Sequence, residues 1–140
     1  MSPAKVVQDV SAAIFIKNDT VLIAKRNQSG SLPGYWEFPG GKQKPGETIF
    51  ECLEREILEE FNVRCQAKSI FAETVYANEH NSIRLIGIMA ELPDEAIELR
   101  VHDEYRWVEI GRMLEYRLAP ADVGIAEKLR AHYTRVKYVE

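Results

Sequence analysis

Cysteine is scarce in this sequence, and its two cysteines are badly placed for metal binding. Cys52 and Cys65 are too few and too far apart for the closely spaced ligand pairs of a zinc site. No disulfide framework can be built from them in the manner of small secreted proteins. We therefore expect two free thiols and assign neither of them any chemistry.

Long apolar runs are absent as well. No segment approaches the roughly 18 apolar residues of a membrane span, and the start "MSPAKVVQDV" lacks the apolar core of a signal peptide. The 140 residues match the usual size of one domain, 46% of them are hydrophobic, and repeats and linkers are missing. We expect one domain over residues 1–140, a cytoplasmic location and no membrane partner.

Positive charge is not in excess, since the net charge is -4. Nucleic-acid binding proteins usually carry a basic stripe, so we expect no stable nucleic-acid partner. Basic residues do collect locally, because Lys25 and Arg26 precede the loop "NQSGSLPG" and Lys42 and Lys44 follow a glycine pair. Arg26 and Lys42 are therefore candidates for binding phosphate groups, although a solvent-facing role is the ordinary interpretation of each lysine.

Glutamate is abundant in the segment "ETIFECLEREILEEF", whose apolar residues repeat at helical spacing. On a helical wheel Glu60 falls inside the apolar stripe, and Glu56 and Glu59 lie along its flank. The stripe consists of Ile49, Leu53 and Ile57. Like charges at this spacing each cost roughly 0.2 to 0.5 kcal/mol, and a partly buried carboxylate costs more. A cation should therefore bind here, unless this is an ordinary surface helix whose acids pair with lysine and arginine.

Mg²⁺ fits such a cluster best, with Mn²⁺ as a substitute. Hard cations prefer oxygen ligands, and magnesium is usually held by a few carboxylates together with the phosphates of a substrate. The spacing of the acids does not match a calcium-binding EF-hand loop.

The same segment resembles the signature of the Nudix hydrolases. The matching positions are Gly41, Glu47, Arg55, Glu56, Glu59 and Glu60, with apolar residues at Ile57 and Val63. The one departure is Asn62, where the family usually has glycine. We expect this residue just past the helix end in the left-handed conformation, for which asparagine is the best substitute for glycine.

The resemblance covers essentially the whole chain and implies an α/β protein with the Nudix fold, a mixed β-sheet sandwiched between α-helices. The β-rich segments fit this order. They are "VSAAIFI" (10–16), "TVLIAKR" (20–26), "GYWEF" (34–38), the hairpin strands "KSIFAETVYA" (68–77) and "SIRLIGIMAEL" (82–92), and "YRWVEI" (105–110). We expect the last helix in "DVGIAEKLRAHY" (122–133), with Ile125, Leu129 and either Ala126 or His132 on one face.

The resemblance also implies roles for individual residues. Glu56, Glu59 and Glu60 would bind the metal, together with the carbonyl of Gly40 or that of Gly41. Glu59 or Glu60 would orient or deprotonate the attacking water, and Glu104 in "HDEYRW" is a further candidate base or ligand, unless it is a solvated loop acid.

Arg55 and Glu47 would form an ion pair that locks the helix against the glycine loop. The signature itself indicates pyrophosphate chemistry and leaves the group attached to the phosphates open.

Two absences reduce the range of substrates that the resemblance allows. The sequence has no proline between Pro45 and Pro93, where ADP-ribose hydrolases of the family usually carry one, and no tyrosine at the position typical of dinucleoside polyphosphate hydrolases. "WEFPGGK" (36–42) and "YRLAPAD" (116–122) instead resemble MutT-like nucleoside triphosphate pyrophosphohydrolases, and among them the CTP pyrophosphohydrolases. The resemblance implies hydrolysis of CTP, dCTP or modified nucleotides to the monophosphate and pyrophosphate.

In MutT-like enzymes the residues at Glu37 and Asp122 face the base, and we group Phe38 with them as substrate-binding. Alternatively, Phe38 is plain core and Asp122 is the N-cap of the last helix. Three other functions stay open, namely 8-oxo-dGTP hydrolysis, hydrolysis of RNA 5′ ends and a non-catalytic regulator. We expect a nucleotide as the partner and a monomer or homodimer.

Overall fold

The structure is a computed structural model that describes residues 7–77, 79, 81–94 and 96–139. In this part of the chain seven strands, two α-helices and one 3-10 helix (Ile110–Glu115) occur. The strands are β1 (Val7–Ile14), β2 (Ile16–Lys17), β3 (Thr20–Lys25), β4 (Trp36–Glu37), β5 (Gln66–Ala77), β6 (Ser82–Glu91) and β7 (Glu104–Glu109). The α-helices are α1 (Ile49–Phe61) and α2 (Pro120–Val139).

The three-stranded sheet is mixed and lies between the two α-helices, as the resemblance implied. Its order is β1-β6-β5, with β1 parallel and β5 antiparallel to β6. Successive residues of β1 face opposite sides of the sheet, so Ile14 packs in the core cluster of α2, and Ala13 packs in that of α1. Burial on both faces explains why the end of this strand, Ala12 to Ile14, is continuously apolar.

The remaining strands form a second sheet, a division that the sequence did not indicate. β3 pairs antiparallel with β2, β4 and β7. The predicted first strand is interrupted at Phe15, and the turn before β3 places Asn18 and Asp19 at positive φ angles of 49° and 65°. The predicted hairpin is confirmed as β5 and β6, although Asn78 and His80 at its tip lie outside the described residues.

Helix α2 begins at Pro120, two residues before the predicted start. Proline is favourable in a first helical turn, where its missing N–H has no intrahelical partner to lose. Ile125, Ala126 and Leu129 are buried whereas His132 is exposed, so alanine completes the apolar face. No helix in the described ranges is long and apolar enough to cross a membrane.

Helix α1 is closed by its own sequence at both ends. Thr48 accepts the Glu51 N–H at 3.1 Å, and the Glu51 carboxylate accepts the Thr48 N–H at 2.8 Å, which is a capping box. At the other end Asn62 adopts φ 55° and ψ 38°, and its N–H donates to the Leu58 carbonyl at 3.1 Å. The predicted left-handed conformation of Asn62 is therefore confirmed.

Replacing Asn62 by valine should destabilise the protein by about 1 kcal/mol or more, because a β-branched residue resists positive φ. Asn62→Gly is the matched control, since both variants lose the 3.2 Å hydrogen bond from the Asn62 amide to Glu98. Thermal and urea unfolding of the three proteins measure the effect. Equal stability of the glycine and valine variants would contradict it.

Candidate active site

The glycine corner, residues 39–41, runs beside β1. The Ala13 N–H donates to the Pro39 carbonyl at 2.7 Å, and the Ser11 N–H donates to the Gly41 carbonyl at 2.8 Å. Carbonyls alternate in direction along such a pairing, so the Gly40 carbonyl points away from β1. Gly40 has φ 151°, and a Cβ there would lie 2.1 Å from the Ser11 carbonyl oxygen. Only glycine lets the corner approach the strand this closely.

The second glycine makes room for an acid of α1. A Cβ on Gly41 would lie 2.4 Å from Cδ of Glu56 and within 2.7 Å of both its oxygens. The Gly41 carbonyl also accepts the Ser11 hydroxyl at 3.1 Å. The Glu56 carboxylate therefore lies directly against the corner, while the Gly41 carbonyl is already occupied by Ser11.

Arg55 joins helix and corner through one guanidinium. It forms the predicted ion pair with Glu47 in bidentate geometry, at 2.7 and 2.9 Å, and donates to the Lys42 carbonyl at 3.1 Å. The same group binds Glu56 at 2.9 Å and Glu59 at 3.2 Å. The hydrogen bonds that Arg55 donates to Glu47 lower the pKa of Glu47 to about 2 and raise the pKa of Arg55.

Glu60 is partly buried, as its position on the helical wheel predicted. Its Oε2 is buried without a hydrogen-bond partner among the described residues. Burial raises the pKa of Glu60 to about 7, with further increases from the charges of Glu56 and Glu37 and a decrease from His102. A carboxylate kept in this state is costly for the fold and is typical of a functional site.

A cavity of about 690 Å³ opens between the glycine corner, the end of α1 and the start of α2. Of the predicted substrate-binding and metal-binding side chains, six line it: Arg26, Glu37, Phe38, Lys42, Glu60 and Asp122. Gly40 and Gly41 line it as well. The volume falls within the range of ordinary small-molecule sites.

Five predicted residues lie outside the cavity lining, namely Glu47, Arg55, Glu56, Glu59 and Glu104. The first four belong to the Arg55 network at its edge. Glu104 begins β7, and its carboxylate accepts from Arg106 at 2.6 Å. The role of Glu104 as a base or ligand therefore stays a prediction.

Asp122 is not the N-cap of α2, because the helix already begins at Pro120 and Asp122 lies in its first turn. The side chain is 6% exposed and lines the cavity, and its Oδ2 accepts the Phe38 N–H at 2.8 Å. Burial, followed by the charge of Glu37, raises the pKa of Asp122 to about 8. Burial therefore favours the protonated form of this carboxyl. The expectation that Phe38 could be plain core is partly right, since Phe38 is 4% exposed and also lines the cavity.

Sequence reasoning missed His102, whose side chain is 3% exposed and lines the same cavity. Its Nε2 lies 2.9 Å from Oε2 of Glu37, and Arg26 donates to Oε1 of Glu37 at 2.6 Å. Both oxygens of Glu37 are therefore engaged by protein side chains. The only available signal was the position of His102 two residues before Glu104 in "HDEYRW".

The oxygen atoms available as ligands at the end of α1 are of the kind that a divalent cation binds. Glu56 lies against the corner, and Oε2 of Glu60 is buried and unpartnered in the described part of the chain. Carboxylate and carbonyl oxygens are the ligands of hard cations. Within residues 7–77, 79, 81–94 and 96–139, however, no three acidic, histidine or cysteine side chains are gathered around one point. Arg55 explains this, because it holds Glu56 and Glu59 toward itself.

An acidic helix docked on a glycine corner, beside a cavity with basic residues, is a site suited to phosphate-containing small molecules in an α/β fold. A family model of the NUDIX domain matches residues 7–129. The chain belongs to the Nudix family, whose members use divalent metal ions, and it is a hydrolase of phosphoanhydride bonds.

Individual relatives agree with this family. The CTP pyrophosphohydrolase of Escherichia coli (strain K12) is 32% identical over 127 residues, covering 88% of this chain and 91% of the relative. A putative 8-oxo-dGTP diphosphatase 2 of Mycobacterium tuberculosis is 29% identical, covering 84% of each.

A solved structure is also similar. The MutT protein of methicillin-resistant Staphylococcus aureus 252 is 31% identical, with a TM-score of 0.73 over 92% of this chain and 99% of that one. The resemblance to MutT-like Nudix hydrolases is thus confirmed.

Glu60→Gln should stabilise the metal-free protein at neutral and alkaline pH. The pKa of Glu60 is higher in the folded protein, about 7, than its ordinary 4.5, so wild-type stability is lost as pH rises between these values. The variant does not lose stability in this way. Above pH 7 its free energy of unfolding should exceed that of wild type by about 1 to 2 kcal/mol, a value reduced for the partial exposure of the group.

Urea unfolding from pH 4 to 8 with a chelator measures this difference. Glu59→Gln is the control, because Glu59 is exposed on the same helix. If the free energies of unfolding of Glu60→Gln and wild type changed in parallel with pH, the raised pKa of Glu60 would be refuted.

Proposed function

We propose that this protein is a Mg²⁺-dependent nucleoside triphosphate pyrophosphohydrolase that converts CTP, dCTP or a modified relative to the monophosphate and pyrophosphate. Mn²⁺ would substitute for Mg²⁺. The observation that carries the proposal is Oε2 of Glu60, which is buried without a hydrogen-bond partner among the described residues. The Glu60 side chain lines a nucleotide-sized cavity that has Asp122 on its wall. The similarity to a relative named CTP pyrophosphohydrolase supports the choice of base.

Glu56, Glu59, Glu60 and the Gly40 carbonyl would hold the metal. A bound divalent cation neutralises phosphate charge and lowers the pKa of water. Among the two glycine carbonyls we favour Gly40, because that of Gly41 already accepts two hydrogen bonds from Ser11.

The chain's own residues bind and orient the substrate. Lys42 and Arg26 line the cavity and would attract the phosphate chain. Arg55 and Glu47 hold α1 against the corner and thereby fix the distance between the acids and the phosphates. Glu60 is favoured over Glu59 and Glu104 as the group that accepts the proton of water, because its carboxylate is buried and faces the cavity.

Asp122 would contact the base and select among bases. Since the Phe38 N–H already occupies Oδ2, Oδ1 would contact the ligand. When protonated this oxygen donates to a base carbonyl or ring nitrogen, and when ionised it only accepts from an amine. The pKa of about 8 favours 8-oxo-dGTP hydrolysis as a second candidate, because a protonated Asp122 tolerates a carbonyl beside an N–H.

A nucleotide panel tests the proposal. Pyrophosphate and orthophosphate release should be measured for CTP, dCTP, dATP, dGTP, 8-oxo-dGTP, 5-methyl-dCTP and a 5′-triphosphate oligonucleotide, with and without Mg²⁺. We expect Mg²⁺-dependent pyrophosphate release that is largest for a free cytosine nucleotide, and loss of at least about 100-fold in Glu56→Gln with the fold retained. Near-wild-type turnover of Glu56→Gln at saturating Mg²⁺ would exclude the proposed metal site. Faster hydrolysis of the oligonucleotide than of free nucleotides would favour RNA 5′ ends as the substrate.

Base preference should depend on pH through Asp122. As pH rises from 7 to 9 its carboxyl loses the proton that can be donated, so kcat/KM for dCTP relative to 8-oxo-dGTP should increase about tenfold. Asp122→Asn can donate and accept at every pH, so its ratio should stay flat and favour 8-oxo-dGTP. The variant also corrects for titration of the bases themselves. If both proteins showed the same pH profile, Asp122 would not contact the base.

A further inference from the structure

Ser11 is a buried polar residue at the start of the apolar end of β1. It is 2% exposed and belongs to the cavity lining, and the residues that follow it, Ala12 to Ile14, are apolar and buried. A hydroxyl that is removed from water costs free energy unless it is hydrogen-bonded. The partners of the Ser11 hydroxyl lie in the glycine corner and on α1, at Gly41 and Cys52.

Ser11 binds both backbone groups of Gly41. Its hydroxyl donates to the Gly41 carbonyl at 3.1 Å and accepts the Gly41 N–H at 3.3 Å. The Ser11 N–H donates to the same carbonyl at 2.8 Å. The backbone bond does not depend on the side chain at position 11, whereas the bond that receives the Gly41 N–H requires the hydroxyl.

The Gly41 N–H and the Gly40 carbonyl belong to one peptide unit. This unit is planar and trans, so its N–H and its carbonyl point in opposite directions. Because the N–H is directed at the Ser11 hydroxyl, the Gly40 carbonyl is directed away from Ser11. Glycine on both sides gives this peptide unusual freedom to rotate, so its orientation depends on hydrogen bonds.

We propose that Ser11 is a positioning residue, which holds the Gly40–Gly41 peptide so that the Gly40 carbonyl is available to the divalent cation. The inference rests on the metal site of the function proposed above. It is supported by Glu56, whose carboxylate lies against Gly41, and by the position of Gly40 in the cavity lining. Ser11 acts only through Gly40, because its own hydroxyl is occupied by Gly41.

Cys52 provides a matched control from α1. Its sulfur lies 3.4 Å from both the Ser11 hydroxyl oxygen and the Gly41 carbonyl oxygen. Cys52→Ala therefore removes a buried contact of the same carbonyl but leaves the acceptor of the Gly41 N–H in place. Ser11→Ala removes that acceptor, and Ser11→Cys replaces it by a weaker one.

Binding of Mn²⁺ in the absence of nucleotide, measured by electron paramagnetic resonance of the free ion, tests the proposal without relying on activity. We expect the Kd for Mn²⁺ to rise at least about tenfold in Ser11→Ala, because partners that orient a metal ligand typically have effects of this size. The rise should be smaller in Ser11→Cys, and Cys52→Ala should stay within about twofold of wild type. A role of Ser11 in stability alone would lower the melting temperature without separating the two alanine variants in Kd.

An unchanged Kd in Ser11→Ala, or an equal rise in Cys52→Ala, would overturn the proposal. If Ser11→Ala does not fold, Ser11→Cys decides, and an unchanged Kd in that variant would overturn the proposal. Wild-type protein that binds no Mn²⁺ would overturn it together with the metal site. If the Kd values separate as expected but no nucleotide is hydrolysed, the proposed function fails while the role of Ser11 stands.

Discussion

The Arg55 guanidinium is the contact on which the geometry of the site depends. It joins Glu47, the Lys42 carbonyl, Glu56 and Glu59, and so connects the glycine corner to the helix that carries the acids. The helix presents several like charges to the corner. Without a cation between the helix and the corner, these charges would repel one another and the two elements would not be held together. The planar, five-donor fork of arginine suits this task better than lysine would.

The cavity combines this rigid frame with carboxyl groups in unfavourable environments. Glu60 and Asp122 both have raised pKa values because burial disfavours their charged forms, and Glu37 contributes repulsion to each. Such groups reduce the stability of the folded protein, as is common where a site must bind charged ligands. Under the proposed function, one end of the cavity would bind a metal and phosphates, and the other end would distinguish a donor from an acceptor on the base.

Local sequence patterns predicted the elements whose conformation depends on residues close by in the sequence. The helical wheel placed Glu60 among apolar residues, and its Oε2 is indeed buried. The glycine substitute Asn62 lies in the left-handed conformation that ends α1. The prediction that Asp122 could cap the last helix was wrong, since the start of α2 is set by Pro120 and by contacts with distant residues.

The sequence alone therefore determined the acidic helix, its capping, the hairpin and the family, because these follow from periodicity, turn chemistry and a motif of closely spaced residues. Tertiary structure decided which groups meet. Phe38 and Asp122 are 84 positions apart in the sequence, and Glu37 and His102 are 65 positions apart, yet both pairs lie within hydrogen-bond distance. Side-chain burial and its effect on pKa depend on these long-range contacts. No local pattern contains them, because they arise only when β4, α2 and the segment before β7 converge on one cavity.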